Sequence, residues 1–194
     1  MRLDPKIVAD LAIAFRPRSF LRVMLADHMA TPLGMGFGQS RFSSPNRLFK
    51  LLYIAQDLAT AVAETIIRDR FEGEEERVLD ESEIGEWAVA EVTATKALIV
   101  LDLRTTGLLR LGVSTDAARA KQHLEGQKLS EAVHSGFAVD GLLYSSRLMG
   151  AHCVAVYDRA VGTKLRSSPA FELIRQGNLI SALKSLSVSV RAGR

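Results

Sequence analysis

An α+β fold is predicted, with mixed or antiparallel central sheets and flanking helices. Three observations carry that expectation. Short apolar runs such as "LFKLLYIA" (48–55), "ALIVLDL" (97–103) and "CVAVYD" (153–158) read as buried strands. Helix-like segments lie between them, after Asp57 and over 116–134. The strand-like runs at 86–103 and at 141–158 are neighbours in sequence, which predicts hairpin-like antiparallel pairing within each group. About five strands and three or four helices are expected. No internal repeat, low-complexity tract or Pro/Ser linker divides the 194 residues, so residues 1–194 are read as one domain.

Taken in order, residues 1–18 read as a short helix ending near Pro17. "FLRVMLADHMA" fits a helix, or a strand leading into a helix, and periodicity does not choose between them. Residues 31–47 hold three glycines and two prolines and form a long loop, the kind that tends to be functional. Asp57 is the N-cap of "LATAVAETIIRDR". The acidic stretch 72–85 reads as a solvated excursion. "EWAVAEVTAT" (86–95) alternates as a half-buried strand does, and "GLLYSS" (141–146) is another strand. "NLISALKSLSVSV" is ambiguous.

Composition excludes several classes. The charge is +3, from 25 basic and 22 acidic residues, with no dense Lys/Arg stripe, so direct nucleic-acid binding is not expected. No apolar run approaches the roughly 20 residues of a membrane span. The N-terminus carries Asp4, Lys6 and Asp10 and is not read as a secretory signal. One cysteine, Cys153, permits no internal disulfide and points to a reducing cytoplasm; it is read as a small buried core residue. No P-loop, GxSxG elbow or HExxH occurs, and the four histidines show no ligand spacing, so no metal site is expected. "GMGFGQS" lacks the strand and helix of a dinucleotide fingerprint.

Four elements remain: "SFLRVML" with Arg22, "GQSRF" with Arg41, "LLYIAQDLATAVAET" with Tyr53 and Glu64, and "DGLLYSSR" with Ser145 and Ser146. Each has an ordinary structural explanation. Arg22 and Arg41 fit surface charges, and Tyr53 fits a core aromatic. Glu64 stands away from the stripe of Leu58, Val62 and Ile66, with Arg68 four residues on as a favourable surface pair.

As an ordered set, with "CVAVYDRA" following, these elements resemble the RES domain, over about residues 20–160. The resemblance implies a fold similar to the ADP-ribosyltransferases of the diphtheria-toxin class. It implies a toxin of a type II toxin–antitoxin pair that consumes NAD as substrate, by hydrolysis or by phosphorolysis with inorganic phosphate as co-substrate, without a metal. By motif position Arg22, Tyr53 and Glu64 are the implied catalytic residues, and Arg22, Arg41, Tyr53 and Ser146 the implied NAD-binding ones. ADP-ribosyl transfer to a protein or metabolite, and a catalytically inert antitoxin-binding module, are the alternatives. The implied partner is an antitoxin with a helix-turn-helix region. Homodimerisation is compatible with the sequence, though no periodic seam marks it. Two positions depart from the pattern: Ser43 stands where many relatives have Asn, and Ser145 where relatives often have Pro, so Ser145 and Ser146 are interchangeable in the assignment.

The implied chemistry is coherent. Arginine forks hold diphosphate oxygens in bidentate fashion. A tyrosine face suits the flat, cationic nicotinamide. A carboxylate stabilises the oxocarbenium-like charge that develops when the glycosidic bond breaks.

Overall fold

Asp4 opens the first helix, α1 (Pro5–Leu11), by accepting the Lys6 N–H at 2.8 Å, with Pro5 at its first position. The helix does not run to Pro17 as expected. It gives way to a strand, β1 (Ala12–Phe15), which pairs antiparallel with a distant partner from Ala12↔Leu101 to Phe15↔Leu98. Tertiary pairing overrides the local helical signal there. The computed structural model describes residues 1–68, 70, 71, 74–115, 117 and 123–192.

The ambiguous segment after Ser19 is a strand, β2 (Phe20–Leu25), ending in one 3-10 turn. The loop over 31–47 contains no helix or strand, as expected. β3 (Leu51–Ala55) follows, then α2 (Leu58–Val62), whose cap is Asp57 accepting the Thr60 N–H at 2.8 Å. α2 runs on as a π-helical turn, Ala63–Ile67, closed by the Arg68 N–H on Ala63 O at 2.8 Å.

The acidic stretch, read as a solvated excursion, is largely exposed but carries regular structure. Its described part forms β4 (Arg77–Asp80) and α3 (Glu81–Gly85). The acids serve as caps: Asp80 and Glu83 form a reciprocal capping box, while Leu79 and Ile84 are buried. Residues 72 and 73 lie outside the described residues. Next come β5 (Trp87–Ala94), β6 (Leu98–Asp102), α4 (Gly107–Arg110) and α5 (Leu124–Gly136). Of the helix expected over 116–134, residues 116 and 118–122 lie outside the described residues. β7 (Gly141–Ser145) and β8 (His152–Tyr157) form as expected. α6 (Asp158–Lys164), β9 (Leu165–Ser167) and β10 (Phe171–Glu172) follow, and the ambiguous C-terminal segment divides into α7 (Leu179–Ser185) and β11 (Val188–Arg191).

The main sheet has nine strands in the order β1-β6-β7-β8-β3-β2-β5-β10, with β9 also on β5. It is mixed, since β6 and β7 are parallel and the other pairs antiparallel. β7 and β8 are antiparallel neighbours, as expected. The expected β5–β6 hairpin does not form: β5 pairs with β2, β9 and β10, and β6 with β1 and β7. Residues 95–97 alone join these two strands, which lie near opposite ends of the sheet. So short a link spans only about 3.3–3.6 Å per residue, so the sheet curls to bring its ends together. Arg16 ties the closure by donating to Ala94 O and Thr95 O.

Alternation divides the core between the two sheet faces. Leu51, Ala55, Leu142 and Ala155 pack with Leu58 of α2, Leu129 of α5 and Leu183 of α7. Leu52, Ile54, Val154 and Val156 pack on the other face with Ala160 and Val161 of α6. Among the described residues, no helix is long and apolar enough to cross a membrane.

Candidate active site

β2 and β3 share a single registered pair, Leu21↔Ala55, and then part. A cavity of about 270 Å³ occupies the opening, bordered by Arg22 of β2, Tyr53 of β3 and Glu64 of the π turn, with Tyr144, Arg68 and Cys153 completing it. Because the strands separate there, Arg22 reaches the cavity although alternation puts it on the face opposite Val23.

Glu64 is held from one side. Its Oε1 accepts from Ser146 Oγ at 2.6 Å. Ser146 Oγ in turn accepts the N–H groups of Leu148 and Met149 at 3.2 and 3.1 Å, so the turn after β7 fixes the hydroxyl that fixes the carboxylate. The structure therefore puts Ser146, and not Ser145, against Glu64. Thr60 and Ala61, one turn before Glu64, are buried, so this side of the helix faces the protein, and the π turn that carries Glu64 is of a kind that recurs at functional sites.

Tyr53 is also pinned. Its hydroxyl accepts from Ser40 Oγ at 2.9 Å and from the Phe42 N–H at 3.2 Å, so the Gly-rich loop is tied to the cavity wall. Burial pushes its phenol above the ordinary tyrosine range, and the Ser40 bond opposes this. Arg22 donates from Nη1 to Pro32 O at 2.6 Å. Burial lowers its guanidinium to about 10 from the usual 12.5, the effect expected of a cation held away from water without a carboxylate beside it.

Arg41 is buried, and it is not among the described residues that border the cavity. Its pKa is lowered by burial, with Glu64 and Tyr144 pulling it up and Arg147 and Arg68 pushing it down. Gly126 of α5 allows this placement: a Cβ there would meet Arg41 O at 2.6 Å and Ala117 O at 2.5 Å. Arg41 thus feels the Glu64 charge, although it is not among the described residues that border the cavity.

Sequence reasoning missed Tyr144, Ser40, Arg68 and the cavity-facing position of Cys153. Tyr144 had a signal: it stands two residues before Ser146, near the end of a predicted strand. Its ring packs edge-on to Phe42, with centroids 5.1 Å apart, and burial drives its hydroxyl well above the usual value. Cys153 is paired with Tyr144 across β7 and β8. It is buried, as expected, and burial together with the Glu64 charge keeps it a protonated thiol. Among the described residues, no group of three or more His, Cys, Asp or Glu side chains is placed to hold a metal.

The RES domain family model matches residues 19–176. The chain belongs to the RES domain family. "Probable toxin y4kH" of Sinorhizobium fredii is 40% identical over 82 residues, which cover 41% of this chain and 64% of that protein's length. The fold is similar to one in the crystal structure of the M. tuberculosis MbcT-MbcA toxin-antitoxin complex, with a TM-score of 0.66 and 18% identity, over 88% of this chain and 93% of that one.

Proposed function

We propose that this RES domain cleaves the nicotinamide–ribose bond of NAD and acts as the toxin of a toxin–antitoxin pair. The observation that carries the reading is the Glu64 carboxylate, fixed by Ser146 at 2.6 Å in a cavity bordered by Tyr53 and Arg22. A cavity of about 270 Å³ lies just below the roughly 300–1,000 Å³ of small-molecule sites, so it suits the nicotinamide and its ribose, with the rest of the dinucleotide along the opening.

Each residue then has a task. The Tyr53 ring, held by two hydrogen bonds to its hydroxyl, offers a fixed face to the cationic ring. Arg22 spends one donor on Pro32 O and presents the others to the diphosphate. As the C1′–N bond breaks, its electron pair leaves with neutral nicotinamide. Positive charge develops on the ribose, and Glu64 stabilises it. Ser146 is a positioning residue that holds Glu64 still and spends no motion at the moment of reaction. Water or phosphate then captures C1′, giving ADP-ribose or its 1-phosphate. Toxicity and an antitoxin partner are supported by the relative's name and by the toxin–antitoxin complex that shares the fold.

The test is product analysis. Purified protein is incubated with NAD, with and without inorganic phosphate, and products are resolved by mass spectrometry. Nicotinamide with ADP-ribose or its phosphate ester supports the reading. ADP-ribose found only on an added acceptor replaces cleavage by transfer, and intact NAD under every condition overturns both.

A further inference from the structure

The loop over 31–47 carries no helix or strand, so no sheet ladder fixes it to the scaffold. Its turns close on themselves, with the Ser43 N–H on Ser40 O at 3.1 Å and the Arg47 N–H on Ser44 O at 3.2 Å. Yet this loop supplies both groups that hold the Tyr53 hydroxyl, Ser40 Oγ and the Phe42 N–H. A support outside the loop must keep those two groups in place.

α5 is that support. His123, at its N-cap, and then Gln127 and Glu131 recur at a spacing of four, along one side of the helix. His123 Nδ1 bonds Gln39 O at 2.9 Å, and Gln127 Nε2 donates to Ser40 O at 3.2 Å. Glu131 accepts from Ser44 Oγ at 2.5 Å and from Asn46 Nδ2 at 3.0 Å. Successive turns of the helix thus hold successive points of the loop. Leu129 and Val133 are buried in the core, so the helix that grips the loop is itself fixed. Gly126 lets the two approach, since a Cβ there would meet Arg41 O at 2.6 Å. Ser43 Oγ lies 2.6 Å from Ser40 Oγ, so the hydroxyl that donates to Tyr53 is itself donated to by Ser43.

We infer that Gln127 and His123 are positioning residues for Tyr53, acting through the Gln39–Ser40 segment whose hydroxyl fixes the ring. Neither is among the described residues that border the Glu64 cavity. That the ring then serves nicotinamide rests on the NAD reading. In that reading Tyr53 attracts the cation before the bond breaks, and the attraction fades as charge moves to the ribose. A misplaced ring therefore weakens substrate binding and leaves the chemical step unchanged.

The test is spectroscopic. The chain has three tyrosines, Tyr53, Tyr144 and Tyr157, which are labelled with carbon-13 at Cζ and read by NMR. Tyr53→Phe assigns the Tyr53 resonance. Gln127→Met keeps the bulk of the side chain and removes the donor. It is expected to shift the Tyr53 resonance and to leave that of Tyr157 in place. Tyr157 is the control, because its hydroxyl donates to Ser130 O of the same helix at 3.1 Å. His123→Ala, at the helix start, is expected to move the Tyr53 resonance by less. No NAD is present, so these outcomes are separate from those of the NAD reading. With NAD added, Gln127→Met is expected to raise KM about fivefold at unchanged kcat. Intact NAD in the wild-type reaction would fault the NAD reading and leave the resonances to decide the positioning. A Tyr53 resonance that stays in both variants, or Tyr53 and Tyr157 resonances that move together, overturns the inference. So does an unchanged KM in a variant whose Tyr53 resonance has moved.

Discussion

Two cavities meet at Arg68, and they are built on opposite principles. In the first, each polar group is anchored by the protein: Glu64 by Ser146, Tyr53 by Ser40 and Phe42, Arg22 by Pro32. In the second, of about 450 Å³, the described wall holds Arg68, Arg77 and Arg147 with Glu74, beside Phe71, Leu148 and Met149. Internal hydrogen bonds fix geometry, which suits a charge that appears only during bond breaking. The contrast separates a cavity whose polar groups are prearranged from one whose described wall is mostly basic and apolar.

The sharpest way to break it is to move one carboxylate. Glu64→Asp draws the group back by one methylene and away from Ser146. A displacement of that size is expected to cost about 100-fold in kcat for NAD cleavage, with little change in melting temperature. Undiminished turnover would show that Glu64 is not prearranged.

A smaller effect is expected from Ser146→Ala. It strands two turn N–H groups and frees the carboxylate. Destabilisation of about 1–3 kcal/mol should appear in chemical denaturation, with a fall of about tenfold in kcat and KM held constant. A change in KM alone would make Ser146 a substrate-binding group.

Arg22→Lys keeps the charge and loses the fork. About a tenfold rise in KM for NAD is expected, at similar kcat.

The smallest effect concerns acid and lies outside both cavities. His134 is held below its ordinary pKa by burial and by Arg159, and His152 by burial and by Arg104. The folded state therefore prefers both neutral, and the unfolded chain binds protons first. Stability is complete above about pH 6.5 and falls as pH drops below that value toward the folded-state pKa values. Melting temperatures between pH 7.5 and pH 5 on the order of half-unit steps measure it, and His152→Gln should flatten the decline.

What the sequence made legible follows the same physics. β3 and β8 announced themselves because they are buried on both faces and read as apolar runs, and β6 reads the same way although Ile99 is exposed. Asp57 was legible because capping is local. β1, β9 and β10 are short and take their form from partners far along the chain, and β4 joins β11 in a parallel pair across most of the C-terminal half. No local pattern carries such pairings. The β5–β6 hairpin failed for a related reason: the curl of the sheet let a three-residue link serve a different topology. In the site, motif order marked Glu64, Tyr53, Arg22 and Ser146, while periodicity alone fitted Glu64 to a surface pair with Arg68. Burial of Thr60 and Ala61, one turn before Glu64, is what separates those readings. The second cavity was illegible, because Arg77 and Arg147 are distant in sequence and look like ordinary surface charges.

The central claim is that the Glu64 carboxylate drives cleavage of NAD in the β2–β3 opening. Nicotinamide release should be followed side by side for the wild-type protein and for Glu64→Gln, which keeps the size and a Ser146 partner but removes the charge. Release by the wild type, and loss of about a thousandfold in a variant of unchanged melting temperature, is the expected result. Equal release by both proteins, or none by either, would contradict the account.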